Sequence, residues 1–455
     1  MLNIAGDGMK WTRISGLCLL LLCAGLSAVW GFSLKHSVST RHLDFRLVYL
    51  ASRGMLQGKS PYQPGTLEQI YRAETGASFP DSATREILTI FIYPPTIFSV
   101  VAPLALLPWN LAQQVWFLIT LGSFLVAITL MWSTGVRHTS VLTIVLLCIL
   151  AANCEVVFGT ENAAGLAVNL CVIAVWCLLQ EIFVPLGVFF LAVSLVIKPH
   201  DAGMVWLFFV LAGKTHRRRA WKTLALVTIL SAPALLWTSY HYPDWAHDLR
   251  ANLASLSSPG NLNDPGPSSI SGRTGNMIIS LQALLSVFWD KPGFYNPATY
   301  IICGAMLLLW ANRLRKADLS FEQAWLAIGA VVPLTMLVTY HRTYDAKLIM
   351  LIIPACAMLF AKGDQIAQWA FAITTATVFF SADIPLGMVL AFAEKLHLAP
   401  AGIVQSVLFL ALYRFMPLLL LATSIFYLWV FLRSRSNHRD AAHHEAQRLA
   451  PDVPA

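Results

Sequence analysis

Apolar runs of about twenty residues, parted by short polar breaks, recur along the whole chain. A run of that length matches the roughly 30 Å hydrocarbon core of a bilayer. None alternates strictly, and in lipid the backbone must satisfy its own hydrogen bonds, so the pattern predicts helices rather than a barrel. Taken in order it predicts about twelve spans, near residues 14–32, 89–107, 109–132, 139–157, 163–179, 184–212, 224–240, 298–312, 324–339, 347–360, 367–380 and 404–432. The first run lacks a good small-residue cleavage site, Leu26-Ser27-Ala28 being the nearest to one, so it reads as an uncleaved span. The sixth is interrupted by Lys198-Pro199-His200-Asp201.

Two longer polar segments remain, 33–88 and 241–296. In the first, Leu43, Leu47, Leu50, Ala51 and Leu56 recur at near-helical spacing with Arg46, Arg53 and Gln57 between them. That predicts an amphipathic helix in the interface plane. Gly58, Pro61 and Pro64 end it, and Leu67–Glu74 suits a second short helix. In the second segment Ser257–Asn276 is rich in Ser, Gly, Pro and Asn, which predicts an open loop. Met277–Trp289 is apolar but too short to cross, which predicts a re-entrant or interfacial helix. The expected architecture is one all-α polytopic domain over 1–432 and a disordered tail over 433–455.

Composition agrees: 57% of residues are hydrophobic and 12% charged, against roughly 25% charged in soluble proteins. The net charge of +8 comes from short basic groups between apolar runs, which fits cytoplasmic loops rather than a nucleic-acid partner. This puts both termini, Arg217–Arg219, Arg313–Lys316 and Lys362 on the cytoplasmic side of the cell membrane. The same count puts Asp44, the Ser257 loop and His341 outside, and the turn at Glu161 inside. The eight cysteines lie in or beside apolar runs without metal-site spacing, and Trp109, Trp116, Trp132, Trp237 and Trp245 read as interface anchors. The outer loops hold no paired-aspartate metal motif, so neither metal nor cofactor is expected.

Few polar residues are placed for chemistry. Asp44 stands at the start of the amphipathic helix, with Arg46, Arg41 or His42 as possible partners. Lys198 is costly in an apolar run unless it faces a polar cavity or a partner such as Asp201 or Glu161. Pro199 frees backbone groups to line such a cavity, and His200 shares that position. His341 and Arg342 cap the ninth run on the face of Asp44, with Tyr344 and Asp345 beside them. Arg273 and Asn276 lie in the outer loop. A transporter or lipid-linked sugar flippase would use many of the same features.

Asp44-Phe45 with Tyr49 and Gly54, followed by Gly58-x-x-Pro61-Tyr62, resembles the first-loop signature of glycosyltransferase family 87, in the GT-C superfamily. Tyr93-Pro94-Pro95 with Ala102–Pro108 is similar to the family's second span. Gly159-Thr160-Glu161-Asn162 resembles its Gly-Gln-x-Asn segment without the Gln, and Ile197-Lys198-Pro199-His200 its Lys-Pro motif. The stretch from His341 to Pro354 stands where the family carries a polar His or Asp motif. The resemblance implies a GT-C-type fold and inverting transfer of a hexose, mannose in family members, from a polyprenyl-phosphate sugar to a glycolipid or glycan acceptor. It implies Asp44 as general base. His341, Arg342, Lys198, His200, Tyr62 and Tyr344 are then the candidates for holding donor phosphate or substrate.

Overall fold

The computed structural model describes residues 4–33, 43–80, 82–267, 269, 278–396 and 402–434. Arg41, His42, Arg273, Asn276, Met277 and the tail from 435 lie outside them. The described chain is helical, with one isolated β-bridge between Ile278 and Arg342. Eight helical stretches among the described residues are long and apolar enough to cross a membrane. They are α1 (Ile4–Ser33), α6 (Trp109–Gly135), α7–α8 (Ser140–Ala151 and Glu155–Thr160), α9 (Ala163–Gln180), α12 (Lys214–His241), α15 (Pro292–Lys316), α16 (Phe321–Val338) and α21 (Phe415–Arg433). A ninth arises if α18 (Gln365–Phe380) and α19 (Asp383–Lys395), which meet at 73°, count as one span. α9 and α16 are buried almost all round and form the centre of the bundle. Leu236, Leu308 and Ile403 face outward.

The expected twelve spans are not reached on that measure, for local reasons. The 89–107 run carries Pro94, Pro95 and Pro103, which restrict the backbone and remove hydrogen-bond donors. It yields a 3₁₀ turn at Pro95–Ile97 and a short α5 (Phe98–Ala105). The 184–212 run becomes α10 (Val184–Ile197) and α11 (Pro199–Leu211). The 404–432 run breaks at Arg414 between α20 (Ile403–Tyr413) and α21. The 347–360 run begins as a 3₁₀ helix, Asp345–Ile352, before α17 (Ile353–Phe360). α13 (Trp245–Leu256) follows α12, and of the described residues 278–289 only α14 (Leu281–Leu285) is helical.

Contacts fix which ends lie together. The Tyr49 hydroxyl donates to the Leu107 carbonyl at 2.9 Å, so α6 starts on the Asp44 side. α9 also starts there, because Asn162 reaches Asp44. Its far end meets Arg219, which donates to the Leu178 carbonyl at 2.9 Å and to Glu181 at 2.7 Å. α10 returns to the Asp44 side and α11 leaves it again. The turn at Glu161, expected on the face opposite Asp44, is therefore beside it. The 89–107 segment does not cross, so the stretch from 109 to 180 runs opposite to the expected direction. The α10–α11 pair then restores the parity.

The first-loop helix exists as α2 (Leu43–Leu56) and the second short helix as α3 (Thr66–Thr75). α2 does not lie free in an interface plane, however. Ten of its fourteen residues are buried, and it packs on α3, α5 and the short α4 (Ser82–Leu88). Phe45 stacks on Trp116 with ring centres 4.7 Å apart, which locks the turn carrying Asp44 against α6.

Candidate active site

Asp44 sits in the first turn of α2. Its Oδ2 accepts a hydrogen bond from Asn162 Nδ2 at 2.9 Å. Asn162 is the N-cap of α9, and its Oδ1 accepts from the Ala164 backbone N–H at 2.8 Å. Because the cap occupies the amide oxygen, the amide NH₂ is left to face Asp44. Glu161, in a left-handed conformation at φ 55°, makes the turn that presents this cap. Its backbone oxygen accepts from Trp116 Nε1 at 3.1 Å and its carboxylate from Gln113. Arg46, a partner considered for Asp44, instead stacks over Tyr71 and Trp109. Burial raises the Asp44 pKa, while the Asn162 hydrogen bond, Arg342, Thr160 and Lys198 pull it back down.

Lys198 stands at the α10–α11 break. A following proline disfavours helical geometry, and Pro199 opens α11 at a position where proline is tolerated. Lys198 accordingly has φ −148° and ψ 83° and is held at the apex between the two helices. Its Nζ pairs with Asp345 Oδ1 and lies 3.7 Å from Asp201 Oδ2. Asp345 Oδ2 accepts from the Arg342 backbone N–H at 2.9 Å, so one buried carboxylate ties Lys198 to the turn after α16. Of the two partners the sequence suggested, Asp201 is there and Glu161 is not.

His341 is fully buried, with Nδ1 3.1 Å from the Thr339 carbonyl and Nε2 3.2 Å from Asp201 Oδ1. The His200 ring meets it edge-on, centres 4.9 Å apart, and is more exposed. Arg342 Nε donates to the Tyr340 hydroxyl, and its Nη2 to the Leu262 carbonyl at 3.1 Å and to Asn263 at 3.3 Å. The Ile279 N–H donates to the His341 carbonyl at 3.0 Å. The second long polar segment is thus stitched across the Tyr340–Asp345 turn. Tyr344 offers its ring to Lys198 Nζ, 5.1 Å from its centre.

The structure thus brings Asp44, Lys198, His200, His341, Arg342 and Tyr344 to one end of the bundle. Tyr62 stands one layer behind, buried against Phe91 and Trp245, its hydroxyl donating to the Tyr93 carbonyl at 2.9 Å. One functional candidate had no role in the sequence reading, Asn162, which grips the acid, while Asp201 and Asp345, named there only as neighbours of Lys198 and Arg342, prove to flank Lys198 together, with Asp201 also 3.2 Å from His341. An Asn followed by a small-residue helix is an N-cap signal, but its second partner is 118 residues away. His200, Asp201 and His341 also place one ligand atom each within 4.8 Å of one another, a spacing suited to a cation. Lys198 already supplies a positive charge beside Asp201.

Helices that fit a bilayer, converging on a cluster of three carboxylates and basic side chains, define a polytopic membrane protein with an ionised site at one end. Comparison with protein families then gives a particular answer. The model of glycosyltransferase family 87 matches residues 91–339, more than half of the chain, and the chain belongs to that family. It is therefore a membrane glycosyltransferase, which sets aside the transporter and flippase readings. No curated protein and no solved structure matches. The matched region holds Asn162, Lys198 and Asp201, and lies between Asp44 and the Tyr340–Asp345 turn.

Proposed function

We propose that this enzyme has a GT-C-type fold and transfers a hexose, mannose, from a polyprenyl-phosphate sugar to a glycolipid or glycan acceptor with inversion. The acceptor oxygen bonds to the anomeric carbon as the bond from that carbon to the donor phosphate oxygen breaks. Asp44 takes the hydroxyl proton. The polyprenyl phosphate leaves with the bonding electrons, and its growing negative charge is met by Arg342, Lys198 and His341. Tyr344 and His200 line the same space, while Tyr62 supports the segment carrying Tyr93. The observation that carries this reading is the pairing of opposites at Asp44: a carboxylate with one amide partner, close enough to Arg342 and Lys198 to be attracted by both.

The site is assigned to the outer face of the cell membrane, with both termini inside. Arg217–Arg219 lie at the other end of α9 from Asn162, and clustered basic residues favour the cytoplasmic side. On this reading α1, α6, α7–α8, α9, α10 and α11 each traverse the bundle, as do α12, α15, α16, the 345–360 helix, α18 and α21.

The test is donor choice. Purified protein in detergent, given a membrane lipid extract as acceptor, should transfer radiolabelled mannose from polyprenyl-phosphate mannose and not from a sugar nucleotide. Transfer from the nucleotide alone would refute the lipid-donor reading.

A further inference from the structure

At the end of the bundle away from Asp44, a half-open cavity of about 520 Å³ lies between α10 and the start of α12. Its floor is apolar, built from Val184, Val188, Leu226 and Ile229, and Arg218 and Lys222 stand at its rim. Two local features shape it. Glu181 and Phe183 adopt left-handed backbone, which makes the tight α9–α10 turn. Arg219 bridges the end of α9 to α12 through the Leu178 carbonyl and Glu181.

The charges at this place are unbalanced. Lys214, Arg217, Arg218, Arg219 and Lys222 fall in the first turns of α12, where the positive end of the helix disfavours cations. Arg219 takes Glu181, and Arg217 Nε donates to the Val210 carbonyl. Arg218 and Lys222 are exposed and make no ion pair or hydrogen bond among the described residues. From Arg218 to Ile229 the groove follows α12 for roughly 16 Å, at about 1.5 Å of rise per residue. Basic groups thus give way to a purely apolar wall along one continuous surface.

We propose that this groove binds an anionic phospholipid, with the phosphate on Arg218 and Lys222 and an acyl chain along Val184, Val188, Leu226 and Ile229. A soluble anion would leave the apolar floor uncovered. An extended peptide would bring backbone N–H and C=O groups to a wall that cannot pair them. A lipid with a charged head and an apolar tail matches both ends, and a headgroup gains from each basic side chain near the membrane surface. The inference is independent of the site at Asp44.

The experiment is native mass spectrometry of the detergent-purified full chain titrated with phosphatidylglycerol or phosphatidylcholine. Phosphatidylglycerol should bind more tightly. The double change Arg218→Gln/Lys222→Gln should weaken it roughly thirtyfold, each basic side chain contributing about a factor of five. Ala225→Phe keeps every charge and fills the groove, so it should remove the same tight site. Free glycerol phosphate should compete only at far higher concentration. Equal binding of the two lipids would overturn the proposal, as would a phosphatidylglycerol preference that survives Ala225→Phe, or competition by glycerol phosphate at lipid concentrations.

Discussion

Asp44 is a half-buried acid gripped by a single amide. Its pKa lies above the ordinary value of 3.8 because burial outweighs the pull of Asn162, Arg342, Thr160 and Lys198. Two expectations of opposite sign follow. A base must be ionised, so kcat/KM should fall as pH drops through the raised pKa, giving an acid limb above the usual aspartate range. Stability should move the other way: a raised folded pKa contributes stability that is present below the unfolded value and lost as pH rises through the folded one. Wild type should therefore gain thermal stability on acidification relative to Asp44→Asn, while losing activity. A pH–rate profile and a paired set of melting curves test both. An acid limb at or below the ordinary aspartate value, or identical pH dependence of melting in the two proteins, would contradict the account of this residue.

The break between α10 and α11 shows how far an element was legible. Lys198-Pro199 inside an apolar run announces an interrupted helix with a polar apex, and that is how it folds. The partner was not legible, because Asp345 lies 147 residues on, behind a turn whose shape no local pattern specifies. Lys347 hid for the same reason. It reads as the start of a span, yet its ammonium donates to the Asn153 and Ser381 carbonyls at 2.8 and 2.9 Å and to Asp383 at 2.8 Å. Removing one member of a buried ion pair strands the other, at a cost of about 3–5 kcal/mol. Lys198→Met should therefore lower the melting temperature markedly and abolish transfer. Restoring the charge with Lys198→Arg should recover stability more than activity, since the planar guanidinium does not reproduce a point charge. Wild-type melting in Lys198→Met would show that the Asp345 pairing is not what joins these elements.

At the scale of the whole molecule, run length and charge announced an all-α membrane protein with Asp44 and His341 at one end. They misassigned the direction of 109–180, because an apolar stretch with three prolines has the composition of a span but forms only the short helix Pro95–Ala105. The difference is measurable. In a background without reactive native cysteines, Asn110→Cys should react with an impermeant thiol reagent from the same side as Gly58→Cys, and His138→Cys from the side of Arg217→Cys. All four positions are exposed. Labelling of Asn110→Cys together with Arg217→Cys would restore the rejected parity and separate Asn162 from Asp44.

The central claim is that Asp44 takes the acceptor proton, and the Asp44→Asn variant tests it most directly. This change keeps the shape of the side chain and removes the proton acceptor. With polyprenyl-phosphate mannose as donor, transfer by purified, correctly folded Asp44→Asn should fall by about 10²–10⁴, with donor binding retained. Transfer at the wild-type rate would contradict the mechanism.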